Sequence, residues 1–93
     1  MKSADIYDVL ERSPIIAATD KAGWKNAVLS DAEVLFHLGA DILTVSRDIE
    51  AAKERGKAVF VHIDLAEGIG KDKTGIEWLK RIGADGVITT RAQ

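Results

Sequence analysis

The chain has 93 residues, 46% hydrophobic and 30% charged, which fits one globular domain and leaves no room for a second. Its formal net charge of -2 gives no general attraction to nucleic acid, although a local basic patch stays open, and the lack of cysteine excludes a disulfide framework and a thiolate metal centre. The opening Met1-Lys-Ser-Ala-Asp-Ile-Tyr-Asp8 has no apolar run of the signal-peptide kind, and no stretch approaches the ~20 apolar residues of a membrane span, so a cytoplasmic protein without membrane contact is expected.

Residues 3–11 read as a short amphipathic helix, with Ile6, Val9 and Leu10 on one face. Pro14 stops it and opens a first strand over about 14–18, at a position where a missing N–H is tolerated. Asp20 is the expected N-cap of a helix reaching Leu29, with Trp24, Ala27 and Val28 as its buried stripe. A second strand runs over 33–38. Residues 41–45 make one helical turn, and a helix follows to Arg55, closed by Gly56. A third strand covers 58–63. The loop 66–73 holds Gly68 and Gly70. Thr74-Gly-Ile-Glu77 has the pattern of a capping box, and Ile76, Leu79 and Ile82 follow at helical spacing up to Gly83. A fourth strand occupies 86–90.

The third strand is the most informative segment. Val59, Phe60, Val61 and Ile63 form an apolar run too continuous for a half-wet strand, which marks it as buried and parallel. His62 and Asp64, two apart, are expected to share one face at its carboxyl end, the end where α/β proteins build their sites.

Strands alternating with helices imply a parallel sheet joined by right-handed crossovers. A dinucleotide fold would need Gly-x-Gly-x-x-Gly after the first strand, where Thr19-Asp-Lys-Ala-Gly23 stands instead, and no P-loop is present. The better fit is an α/β half-barrel over residues 1–93: a parallel sheet of four βα-type units, half of a TIM (βα)8 barrel, preceded by a short helix. Half a barrel leaves its first and last strands with unpaired backbone groups and an open concave face, so self-association through those edges or that face is expected.

Several segments together resemble the glycerol uptake operon antiterminator family: Ser13-Pro-Ile-Ile-Ala-Ala18, Ser30-Asp-Ala-Glu-Val-Leu-Phe36, Gly39-Ala-Asp-Ile-Leu43, Val59-Phe-Val-His-Ile-Asp-Leu-Ala-Glu-Gly68, Lys71-Asp-Lys-Thr-Gly-Ile-Glu-Trp-Leu79 and Gly83-Ala-Asp-Gly-Val-Ile-Thr-Thr-Arg91. The resemblance implies a (βα)8-barrel regulator that responds to glycerol 3-phosphate and binds leader mRNA to prevent premature transcription termination. Members are about twice this length, near the lower bound for a barrel. The expectation is therefore a truncated, engineered or naturally paired half.

The ligand-contacting residues expected for phosphate or RNA are His62, Asp64, Glu67, Gly68, Lys71, Thr89, Thr90 and Arg91. The loop from Glu67 to Lys73 can cradle an anion on its backbone N–H groups, or be a solvated loop before a capped helix. Arg91 can clamp a phosphate with its fork of donors. His62 and Asp64 alternatively serve as an acid–base pair of a barrel enzyme, as metal ligands with Glu67, or as hydrogen-bond partners of each other or of neighbouring strand ends. No second convergent acid or nucleophile supports catalysis, and no motif calls for a cofactor or a metal. His37 is read as a packed or rim histidine, Trp24 and Trp78 as packing residues, and Lys53, Arg55 and Lys57 as a solvated basic cluster at a helix end.

Overall fold

The apolar runs become short parallel strands, each followed by the segment that crosses back to start the next. A computed structural model describes residues 14–90. In chain order these are β1 (Ile16–Thr19), α1 (Trp24–Leu29), β2 (Val34–His37), α2 (Val45–Glu54), β3 (Ala58–His62), a 3₁₀ turn (Ile63–Leu65), α3 (Lys73–Arg81) and β4 (Gly86–Ile88). The helix expected over 3–11 lies outside the described residues, as does Arg91.

All pairings are parallel and the sheet order is β1-β2-β3-β4. A doubly wound sheet reverses its strand order and carries helices on both faces. Here the order never reverses, so right-handed crossovers put every helix on the same side. The core follows that geometry. Leu35, Val59 and Val61 point to the helical side and pack with Trp24, Val28, Ile49, Ala52 and Leu79 in one buried cluster. The alternate residues Val34, Phe36, Ala58 and Phe60 form a second, smaller cluster on the opposite face. Ile16, paired with Val34, extends that face at the β1 edge and is 45% exposed. Among the described residues one face is covered and the other is open, as in a sector cut from a barrel.

Close packing on the open face depends on Gly86. A Cβ there would stand 2.9 Å from Phe60 Cε2, so the ring lies over the glycine. Phe60 in turn meets Phe36 edge to face, with ring centroids 5.8 Å apart.

The helix ends correct two expectations. α1 starts at Trp24, and the Asp20 carboxylate accepts from the Gly23 N–H at 3.2 Å in the turn before it rather than capping the helix itself. α3 is capped by Asp72, whose Oδ1 accepts from Gly75 N at 2.9 Å; Thr74 already lies inside the first turn, so no Thr74–Glu77 capping box forms. The carboxyl ends are read correctly from their glycines. In α2, Gly56 adopts φ +73°, while its N–H reaches Lys53 O and that of Lys57 reaches Ala52 O. Gly83 and Ala84 repeat this pairing on Lys80 and Leu79 at the end of α3, and both ends are Schellman motifs.

The expected solvated basic cluster is also corrected. Lys57 is only 7% exposed, and its ammonium donates to Ser30 O at 2.7 Å and Ala32 O at 2.5 Å, fastening the α1–β2 loop beneath β3. Lys53 pairs with Asp85, which also accepts from Val59 N at 2.8 Å. At the amino-terminal end of the sheet, charges hold loops in place.

Candidate ligand-binding rim

β3 reaches the opposite end of the sheet at His62 and then tightens into the 3₁₀ turn Ile63–Leu65. His62 shares the face of Ala58 and Phe60 and therefore looks to the open side. Asp64 does not share that strand face with it, because the chain has left extended geometry one residue earlier. The carboxylate instead reaches sideways to the next strand. Its Oδ2 accepts from Thr89 Oγ1 at 2.7 Å and from Thr90 N at 3.1 Å. The ladder ends at the His62–Ile88 pair, where β3 turns away, and beyond it the two threonines are held by a side chain.

His62 is 8% exposed, and among the described residues its Nδ1 has no hydrogen-bond partner. Burying such a group unpaired costs ~1–3 kcal/mol. The neighbouring strand carries a contrasting histidine. His37, at the end of β2, is fully buried on the helical side. Its Nε2 lies 2.9 Å from Asp48 Oδ2, its Nδ1 accepts from Gly39 N at 3.3 Å, and its ring stacks on Trp24 with centroids 4.3 Å apart. Acceptance at Nδ1 leaves the proton on Nε2, pointed at the carboxylate. Trp24 closes the group by donating to Asp48 O at 2.7 Å. Sequence reading missed this cluster, since nothing in the spacing of positions 24, 37 and 48 joins them before the fold does.

The rim loops are tied together by backbone. Asp41 and Glu67 form an isolated parallel bridge, with Glu67 N donating to Ala40 O at 2.7 Å and Ile42 N to Glu67 O at 3.0 Å. Glu67 thus contributes its peptide to the loop and leaves its side chain exposed. Gly68 is fixed for two reasons: its φ is +75°, and a Cβ would come within 2.6 Å of the Ile42 side chain. Gly75 abuts the Gly70 carbonyl, which presses the first turn of α3 against the loop. Lys71, on the same loop, is exposed. A cleft of about 390 Å³ opens beside it, lined by Ile42, Gly68, Ile69 and Trp78 among others. Thr44, just before α2, has a buried Oγ1 without a partner among the described residues, a second feature that no sequence pattern signalled. No group of three metal-ligating side chains occurs among the described residues.

The rim so assembled brings His62, Asp64, Thr89 and Thr90 to one end of the sheet and arrays Glu67, Gly68 and Lys71 on the loop that follows β3. Together with the monotonic parallel order, this defines half of a (βα)8 barrel whose polar groups gather where the strands end. Over residues 15–93 the sequence matches the Glycerol-3-phosphate responsive antiterminator family, and the chain belongs to it. It is 36% identical over 89 residues to the uncharacterized protein YgcP of Escherichia coli (strain K12), an alignment that covers 94% of this chain and 47% of that protein. Two crystal structures are similar to it. A glycerol uptake operon antiterminator-related protein from Thermotoga maritima MSB8 superposes with a TM-score of 0.70 at 37% identity, over 84% of this chain and 44% of that one. A glycerol uptake operon antiterminator regulatory protein from Listeria monocytogenes strain 4b F2365 gives 0.70 at 28%, over 83% and 42%. The chain spans about half the length of the relatives it matches.

Proposed function

We propose that this chain forms one half of a regulatory barrel that binds glycerol 3-phosphate at the rim and leader mRNA elsewhere on its surface, acting in the cytoplasm as a transcription antiterminator and not as an enzyme. Family membership along residues 15–93 supports the regulatory class. One observation carries the placement of the ligand: the unpartnered Nδ1 of His62, buried on the open face at the carboxyl end of β3. A polyol phosphate supplies both hydroxyl and oxyanion partners for such a nitrogen. Around it, the Lys71 ammonium adds positive charge, the Gly68 loop offers backbone N–H groups, and Thr89 and Thr90, held by Asp64, border the same end of the sheet. Glu67 serves through its peptide, and Arg91 follows the last described residue as the remaining candidate phosphate clamp.

The open face calls for a cover. Ile16, Phe36 and Phe60 are left partly exposed there, and among the described residues β1 and β4 each present an unpaired edge. The proposal includes homodimerisation through that face or those edges, with two halves meeting as one barrel. Sedimentation at high concentration checks it, and a well-folded monomer sinks that part.

Ligand binding is tested by calorimetric titration of the chain with glycerol 3-phosphate, with glycerol and inorganic phosphate as separate controls. Binding weakened about tenfold or more by His62→Ala, the loss of one charge-assisted hydrogen bond, is the expected outcome. Equal affinity in the variant removes His62 from the site, and no heat with the parent chain removes the ligand assignment.

A further inference from the structure

The rim is poorly suited to a polyanion. Asp41, Asp64, Glu67 and Asp72 stand at that end against Lys71 on the loop and Lys73 at the start of α3, and Lys21 is engaged with Asp41 at 3.7 Å. Repulsion by several carboxylates is tolerable for one small phosphate held by directed hydrogen bonds. It works against a strand of RNA, whose affinity comes chiefly from phosphate neutralisation.

The outer surface offers the opposite arrangement. Between α1 and α2 lies a groove of about 340 Å³, near the lower end of the ~300–1,000 Å³ typical of ligand pockets. Its apolar lining is made by Trp24, Val28, Leu29 and Ala51. Leu29 is 55% exposed, although it sits on a helix that otherwise buries its apolar side chains. Lys21, Lys25 and Arg47 line the groove and are exposed. Neither Lys25 nor Arg47 makes an ion pair with another described residue. The acid of the groove, Asp48, is turned inward, where its carboxylate accepts a hydrogen bond from His37 Nε2, and only a small part of it is exposed. At the groove the two helices are tied together, because the Trp24 indole N–H is bound to the α2 backbone at Asp48.

We infer that this α1–α2 groove is the surface that grips single-stranded RNA, with phosphates on Lys25 and Arg47 and a base edge against the apolar floor. The inference rests on the antiterminator reading and deepens it by separating two sites: small phosphate at the acidic rim, RNA on the outer helices. Lys21 stands at both, since it lines the groove and reaches the rim loop through Asp41.

The test uses the whole chain, isotopically labelled, titrated with a short single-stranded RNA of mixed sequence and followed by amide shifts. Shifts concentrated over residues 21–29 and 47–51 support the groove. The double variant Lys25→Glu with Arg47→Glu should weaken binding at least about tenfold and lower the salt slope by about 0.7 for each phosphate that is no longer neutralised. Lys80→Glu with Arg81→Glu, reversing an equal number of exposed cations on α3, should do much less. Equal losses from the two double variants mean unspecific attraction and overturn the groove. Shifts confined to residues 62–71 overturn it too while leaving the antiterminator reading intact. Absence of any RNA binding overturns both the groove and the RNA part of that reading, and the glycerol 3-phosphate titration then decides the ligand part by itself.

Discussion

Two histidines close two adjacent strands, and they are treated in opposite ways. His37 turns to the helices, stacks on Trp24 and has both ring nitrogens engaged, one by Asp48 and one by the Gly39 N–H. His62 turns to the open face, is almost as deeply buried, and keeps Nδ1 without a partner among the described residues. The difference separates polarity that serves the fold from polarity held ready for a ligand. A satisfied network fixes one packing arrangement, whereas an unsatisfied buried donor or acceptor is a standing cost that binding removes.

The comparison breaks most sharply at His37. His37→Ala removes a stacked ring and a hydrogen bond to a carboxylate, and leaves the largely buried Asp48 without its partner. The expected loss of stability is about 3 kcal/mol, read as a lowered urea midpoint. A loss below ~1 kcal/mol would mean that the cluster is not structural after all. His62→Leu should run the other way. It replaces an unpaired polar ring by an apolar side chain beside Ile88, its partner across the sheet. Stability should rise by about 1 kcal/mol while glycerol 3-phosphate binding is lost. A destabilised His62→Leu would show that the ring already has a structural partner, and the contrast between the two residues would disappear.

What the sequence reveals divides along the same line. The strand-and-helix order, the parallel pairing and the glycine-closed helix ends all follow from local signals: continuous β-branched runs, 3.6-residue periodicity, and Gly56 and Gly83 just beyond the last helical turn. The half-barrel rests on more than that, since only the unreversed strand order proves that all helices lie on one face. Long-range polar pairings were hidden. Lys57 reads as a solvated lysine because nothing local shows that the Ser30 and Ala32 carbonyls, far back in the chain, converge on its ammonium. Asp64 reads as sharing a face with His62 at the strand's end because the pattern Val-His-Ile-Asp continues a two-residue alternation that the backbone abandons at Ile63. The glycerol-operon resemblance, by contrast, is carried by short linear motifs and was legible throughout, in agreement with the family match over residues 15–93.

The smallest effect tests whether carboxylates at the rim divide in the same manner. Asp72 is exposed next to Lys71, so its position alone would make it a ligand residue. Its geometry assigns it to the fold: Oδ1 accepts from Gly75 N, the cap of α3. Asp72→Ala should therefore cost about 1 kcal/mol of stability, and Asp72→Asn nearly nothing, since asparagine caps as well as aspartate. Thr74→Ala, at the position the motif pattern nominates, should stay within about 0.5 kcal/mol because that hydroxyl caps nothing. Neither Asp72 variant should weaken glycerol 3-phosphate binding, because removing a negative charge beside an anion site cannot repel the anion more, and Thr74→Ala leaves the charge unchanged. If Asp72→Asn holds its stability but loses ligand, the carboxylate works at the site through the ligand's hydroxyls, and a neat division of the rim into capping and binding residues fails at this position.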